Sequence, residues 1–193
     1  MQYKLITPPV KQPLTINEVR DHCRASRTTV TVDDPYISTL IDAAVGYAEH
    51  VTGRAIMTQT WEYIADCFSS ELHLIKCPVQ SITSIKYLDN AGAEQTLATS
   101  LYRVDLDSEP ARITPAYAQT WPPTYSVNAA VRIRFVSGYT TADLVPRALR
   151  HAMLLLIAAW YENRESFIVG QGFTTQNIPI HAEKILLQDR VWS

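Results

Sequence analysis

A chain of 193 residues, 47% hydrophobic and 19% charged, has enough apolar material to bury a core and lies far from the composition of disordered segments. A formal net charge of -2 supplies no overall pull toward nucleic acid or an anionic membrane, which disfavours DNA binding as the main task. Three cysteines, Cys23, Cys67 and Cys77, sit in neither a Cys-x-x-Cys nor a Cys/His ligand spacing, which argues against a disulfide framework and a zinc site.

Residues 1–14 carry no apolar run of signal-peptide length, and their proline-spaced sequence reads as an extended arm. Thr15 and Glu18 then form a Thr-x-x-Glu capping box, with Leu14 and Val19 placed as a hydrophobic staple, and predict a short helix from Ile16 to about Ala25. A second helix is capped by Asp33 or Asp34, tolerates Pro35 in its first turn, and ends at Gly53, where a left-handed cap belongs. Its apolar positions Ile37, Leu40, Ile41, Ala44, Val45, Ala48 and Val51 recur at three- and four-residue steps and predict one buried face.

After Arg54 the period changes to two. Trp61, Tyr63, Ala65 and Cys67 alternate with Thr60, Glu62, Ile64 and Asp66, as in a strand. Strand-like pieces follow at 72–75, 81–88, 95–98 and 102–106, with Asp89, Asn90 and Gly92 supplying a turn. The proline-rich stretch between Thr114 and Ser126 reads as a long loop, and Val131, Ile133 and Phe135 alternate with Arg132 and Arg134 as a half-buried strand. A third helix starts at Pro146 and runs to about Ser166, apolar all round from Met153 to Tyr161. The apolar run 152–161 would rise only about 15 Å as a helix, against the roughly 30 Å of a bilayer core. A last amphipathic piece covers 182–192. The expected fold is α+β: a single domain over 15–192, with about four helices in 15–53 and 146–192 and a mostly antiparallel β insertion over about 57–139.

Motifs that carry chemistry are scarce. His22, His50, His73, His151 and His181 are scattered, with no His-x-x-x-His pair to place two on one helical face. Asp33 and Asp34 lack the alternating ligands of a calcium loop and read as helix caps. No Gly-x-Ser-x-Gly and no glycine-rich phosphate loop occurs among six glycines. No metal, cofactor or catalytic residue is therefore expected. Arg132 and Arg134 mark a possible basic contact patch, set against the plainer reading of a solvated strand face.

The order of segments resembles the head-tail connector (adaptor) proteins of tailed bacteriophages. The resemblance rests first on Pro13-Leu14-Thr15 with Glu18-Val19, and on a helix from Asp33-Asp34 through Tyr47-Ala48-Glu49 to Thr52-Gly53-Arg54. Thr58-Gln59-Thr60-Trp61-Glu62, Cys77-Pro78-Val79-Gln80-Ser81-Ile82, Ile113-Thr114-Pro115 with Trp121-Pro122, and Val131-Arg132-Ile133 with Ser137-Gly138-Tyr139 follow. Val145-Pro146 with Leu149-Arg150, Trp160-Tyr161-Glu162-Asn163-Arg164-Glu165 and Arg190-Val191-Trp192 complete it.

The resemblance implies a virion structural protein without enzymatic activity. It implies a homo-oligomeric ring of about 12 copies at the head-tail interface, or neck, assembled in the host cytoplasm. It further implies that the ring binds the portal protein and links it to a stopper or tail protein, while DNA passes through without sequence-specific binding and no membrane is involved. On this basis Ile185, Leu186, Arg190, Val191 and Trp192 are portal-binding candidates, and Leu155, Trp160, Tyr161, Arg164 and Trp121 are candidates for contacts between subunits. The alternatives are another neck or tail-completion ring protein, or a small phage enzyme.

Overall fold

A computed structural model describes residues 2–25, 33–163 and 180–191. The chain divides into two compact units. One is helical, drawn from Lys11–Thr52 and Thr141–Arg190; the other is built of strands, drawn from the start of the chain to Val10, from Gly53–Thr140 and from Val191. The α+β class expected from the sequence is the class observed, with four helices and two antiparallel sheets among the described residues.

The helical unit holds α1 (Ile16–His22), α2 (Asp34–Thr52), α3 (Arg147–Glu162) and α4 (Ile180–Gln188). The capping box forms: the Glu18 N–H donates to Thr15 Oγ1 at 3.2 Å, and the Thr15 N–H donates to Glu18 Oε2 at 2.8 Å. Helix α1 ends three residues earlier than the spacing predicts, because Arg24 turns to φ 54°. The Ala25 N–H then closes back onto the Arg20 carbonyl at 2.9 Å, satisfying a carbonyl that a longer helix would have used. In α2 the predicted face is buried at Ile37, Leu40, Ile41, Ala44, Val45 and Ala48, with Val51 half-buried. Gly53 takes the predicted left-handed conformation at φ 73°.

Helix α3 buries Leu149, Ala152, Met153, Leu156 and Ile157, and ends at Glu162 rather than near Ser166. Leu154, Leu155, Ala158, Ala159, Trp160 and Tyr161 are half-buried, and Ala148 in the first turn is exposed. Polar ties join the helices of this unit. Arg20 pairs with Asp34, and Arg150 pairs with Glu18. The Tyr36 hydroxyl donates to the Trp160 carbonyl at 3.3 Å, and the Tyr161 hydroxyl donates to Asp33 at 3.2 Å.

The β unit contains β1 (Gln2–Thr7), β2 (Gln59–Ala65), β3 (Leu72–Leu74), β4 (Val79–Leu88), β5 (Glu94–Thr96), β6 (Tyr102–Asp105), β7 (Ala111–Pro115) and β8 (Val131–Ser137). Five form a sheet in the order β1-β2-β8-β4-β5, and three form a second in the order β3-β7-β6; every pairing is antiparallel. Residues 2–7, expected as an extended arm, are the edge strand β1. Tyr3 explains the pairing: its ring lies edge-on to Tyr63 at 5.3 Å and to Phe135 at 6.4 Å, and its hydroxyl donates to the His73 carbonyl and accepts from the Ile75 N–H. Strand β7 was not anticipated. It opens after Pro110 and closes on Pro115, and with a proline at each end its five residues, Arg112 and Thr114 polar among them, read as a connection rather than a strand.

The core of the β unit gathers Tyr63, Leu72, Leu74, Cys77, Ile85, Ile113, Val131, Ile133 and Phe135, each 1% exposed or less. Phe68 stacks on Trp121 at 4.8 Å and anchors the proline-rich loop to this core, with Val191 also packed against it. Burial raises the Tyr63 and Cys77 ionisations above their ordinary values. Gly138 is required where it stands: it has φ 97°, and a Cβ would overlap the Met57 carbonyl, which approaches as Met57 and Tyr139 form a parallel bridge.

Candidate functional site

The pleat of the five-stranded sheet separates its side chains into two faces. Tyr3, Tyr63, Ile133 and Ile85 are aligned across four strands on the core side. One residue on, Lys4, Glu62, Arg134 and Ser84 are aligned on the opposite side, and so are Gln2, Ile64, Arg132, Lys86 and Thr96 across all five. The register thus collects charge on one surface that single-strand alternation leaves scattered. Arg132 and Arg134, predicted as a basic patch, both reach Glu62, Arg134 at 2.9 Å and Arg132 at 3.4 Å. The two guanidinium groups roof over this carboxylate: the Glu62 side chain is 8% exposed beneath arginines that are 48% and 45% exposed. Lys86 pairs with Glu94 at 2.7 Å on the same side, and hydrogen bonding to that lysine lowers the Glu94 ionisation.

Glu62 is the functional-looking residue that sequence reading passed over. Its signal was present, since alternation in β2 puts Glu62 on the face opposite Trp61 and Tyr63. Which cations meet it depends on the pairing of β2 with β8, and residues some 70 positions apart give no local cue.

The remaining candidates divide between the two units. In the helical unit, Leu155, Trp160 and Tyr161 lie half-buried on α3; Trp160 meets Tyr47 edge-on at 6.5 Å and Tyr161 lies tilted against Tyr36 at 6.2 Å. Helix α4 packs on α2 and α3, burying Ala182 and Leu186, with Ile185 half-buried and Leu187 and Arg190 exposed. In the β unit, Val191 and Trp121 rest on the core. Arg164 and Trp192 lie outside the described residues.

Two further features of the β unit are exposed. The β6–β7 hairpin tip carries Asp105, Asp107 and Glu109. Asp105 accepts from Ser108 Oγ at 2.6 Å, from Arg112 at 2.8 Å and from the Asp107 and Ser108 N–H groups. These bonds, from Ser108 and Arg112 first, hold its carboxyl down at about 2. Arg54 grips Glu109 with two bonds of 2.9 and 2.6 Å. Tyr117, 91% exposed, sits in a turn closed by Gln119 N–H to the Ala116 carbonyl, with Ala118 at φ 59°.

Among the described residues, no three His, Cys, Asp or Glu side chains are grouped to hold a metal ion, and no helix is long and apolar enough to cross a membrane.

A search of curated proteins finds no match. Over its full length the chain is similar in fold to a chain of the "Neck of empty GTA particle computed with C6 symmetry", with a TM-score of 0.80, 22% identity and 97% of that chain covered. A chain of the "Virion of native gene transfer agent (GTA) particle" gives a TM-score of 0.77 at 23% identity, and one of the "Neck of native GTA particle computed with C12 symmetry" gives 0.74 at 21%; each is 97% covered by all of this chain. The model of the family described as "Phage gp6-like head-tail connector protein" matches residues 124–190, which run from the end of the proline-rich loop through β8 and α3 to the end of the helical unit. Over about a third of its length the chain is therefore similar to the phage gp6-like head-tail connector proteins, and over its whole length it shares the fold of chains in gene transfer agent particles.

Proposed function

We propose that this chain is a head-tail connector that works as an adaptor: about 12 copies close into a ring in the neck of a phage-like particle, the ring seats on the portal, and its far side receives a stopper or tail component while DNA passes through the middle. The observation that carries the reading is the likeness over the entire chain to a protein of a neck resolved with C12 symmetry, joined to the connector-family match. Ring closure explains the character of α3. A single-subunit helix needs one apolar stripe, whereas α3 keeps Leu154, Leu155, Trp160 and Tyr161 half-buried around the rest of its circumference. Aromatic residues in that position are well suited to anchor a neighbour.

The portal contact is assigned to the segment from Ile185 to Trp192. Leu186 is buried within the helical unit, where it holds α4 in place. Leu187 and Arg190 are exposed and Ile185 is half-buried, and these three present the accessible surface of the segment. Neither catalysis nor a cofactor has a part in this mechanism: the ring acts by position, by the width of its channel and by complementary faces.

The test is size-exclusion chromatography with light scattering on the full chain, alone and with the portal protein of the same genome. A ring of about 12 subunits, formed alone or only on the portal, is the expected outcome. A ring that forms but ignores the portal points instead to another neck component. A chain monomeric under both conditions sinks the adaptor reading. Replacing Ile185, Leu187 and Arg190 together is expected to abolish portal binding while leaving the helical signal intact.

A further inference from the structure

We infer that the charged outer face of the five-stranded sheet is one half of a contact between copies of this chain, and that it receives the acidic β6–β7 hairpin tip, Asp105–Pro110, of the neighbouring copy. The inference rests on the ring reading above and supplies the faces that the ring would join.

The first half is the sheet face. Lys4, Lys86, Arg132 and Arg134 stand there against Glu62 and Glu94, an excess of two positive charges in a chain whose net charge is -2. Glu62 is already shared by two arginines, so it orients them more than it neutralises them. The lysine and arginine side chains of Lys86, Arg132 and Arg134 are 45–48% exposed, leaving their outward edges open. Fixed guanidinium groups with free N–H edges are suited to carboxylates, which accept from them in a planar, two-point fashion.

The second half is the hairpin tip. Within six residues it has three carboxylates and no cation. Asp105 spends its oxygens inside the turn and Glu109 is gripped by Arg54, so the tip is held in one conformation. What it presents outward is Asp107, exposed, beside Leu106 at 40% exposure. A tip ordered before contact loses little conformational entropy on docking. Charge repelling charge also keeps two tips, or two sheet faces, from pairing with each other.

Closure supplies the last step. A ring about a rotation axis uses heterologous contacts, in which one surface of a copy meets a different surface of the next. The β unit has such a pair: a cationic face and an anionic projection, on different strands.

The test is reciprocal charge reversal in the full chain, read as assembly by light scattering with and without the portal, with far-UV circular dichroism to verify folding. Lys4→Glu with Lys86→Glu reverses the rim of the face while keeping Glu62 and both of its arginines, whose cross-strand neighbours these lysines are, and Asp107→Arg reverses the tip. Each is expected to weaken copy-to-copy association about tenfold or more, an effect that shrinks as salt rises. Combining them is expected to restore assembly to within about threefold of the unsubstituted chain, since the swapped charges attract again. Rings that form in the unsubstituted chain and ignore all three variants, or a combined variant as weak as both defects together, overturn this contact and leave the ring reading standing. A mobility shift with duplex DNA that the lysine variant loses, with assembly unchanged, assigns the face to nucleic acid and overturns it equally. An unsubstituted chain that never assembles removes the ring reading and this contact together.

Discussion

The β unit and the helical unit reach stability by different routes. In the β unit, ten residues of the core cluster are 1% exposed or less, and the opposite face of its larger sheet carries paired charges across neighbouring strands. In the helical unit the buried stripe of α3 accounts for five residues, and six more apolar ones stay half-buried. Polar ties, Arg20 with Asp34, Arg150 with Glu18, and Tyr36 and Tyr161 to their acceptors, hold the helices in register. The difference teaches what each unit leaves uncovered. One unit offers charge on a rigid sheet; the other offers half-covered apolar and aromatic groups, whose further burial would add roughly 25 cal/mol for each Å² removed from water.

Substitutions can break this contrast. The largest expected effect is Phe135→Ala, which opens a cavity in the middle of β8 and should cost about 3–5 kcal/mol in the β unit, read from the urea midpoint followed by Trp61 and Trp121 fluorescence. Leu156→Ala on α3 should cost about 2–5 kcal/mol, read from the helical signal at 222 nm. If Leu155→Ala, at a half-buried position, costs as much as Leu156→Ala in the isolated chain, the distinction between the stripe and the rest of α3 fails.

Smaller effects sharpen it. Glu62→Gln leaves two arginines facing each other without their shared carboxylate and should cost about 1–2 kcal/mol, lessened by high salt, in the same urea experiment. Thr15→Ala removes the cap of α1 and should cost about 1 kcal/mol.

The smallest effect is pH dependence. For Glu18, partial burial works against the charged form, but hydrogen bonds from Thr15 and the Arg150 charge outweigh it and leave the ionisation lowered. A lowered folded value means that the charged form stabilises above the ordinary value of 4.5 and that this contribution is lost as pH falls through the folded value. Glu18→Gln is therefore expected to flatten the loss of helical-unit stability measured between pH 5 and acid, roughly the window in which carboxylates titrate. Asp105, held at about 2, keeps the hairpin tip charged well below the ordinary 3.8.

The sequence disclosed what local chemistry controls. The Thr15–Glu18 box, the α2 face, the left-handed Gly53 and the alternation of β8 were all legible because each depends on neighbours within four residues. The α+β class followed from the switch in period after Arg54. Three things were hidden. Residues 2–7 looked like an arm because the partner that makes them a strand, β2, begins some fifty residues later. Strand β7 was hidden by its flanking prolines. Glu62 was hidden because its meaning comes from Arg132 and Arg134, which only strand pairing brings to it. For the segment proposed to meet the portal, the sequence did not distinguish buried Leu186 from half-buried Ile185 and exposed Leu187 and Arg190, because that difference is set by packing of α4 on α2 and α3.

The adaptor reading stands or falls most directly on electron microscopy of the full chain mixed with the portal protein of the same genome. The expected image is a second ring stacked on the portal, with about twelvefold symmetry and density for one copy of this fold in each repeat. A portal that remains bare at saturating chain, with the chain monomeric in the same sample, would contradict it.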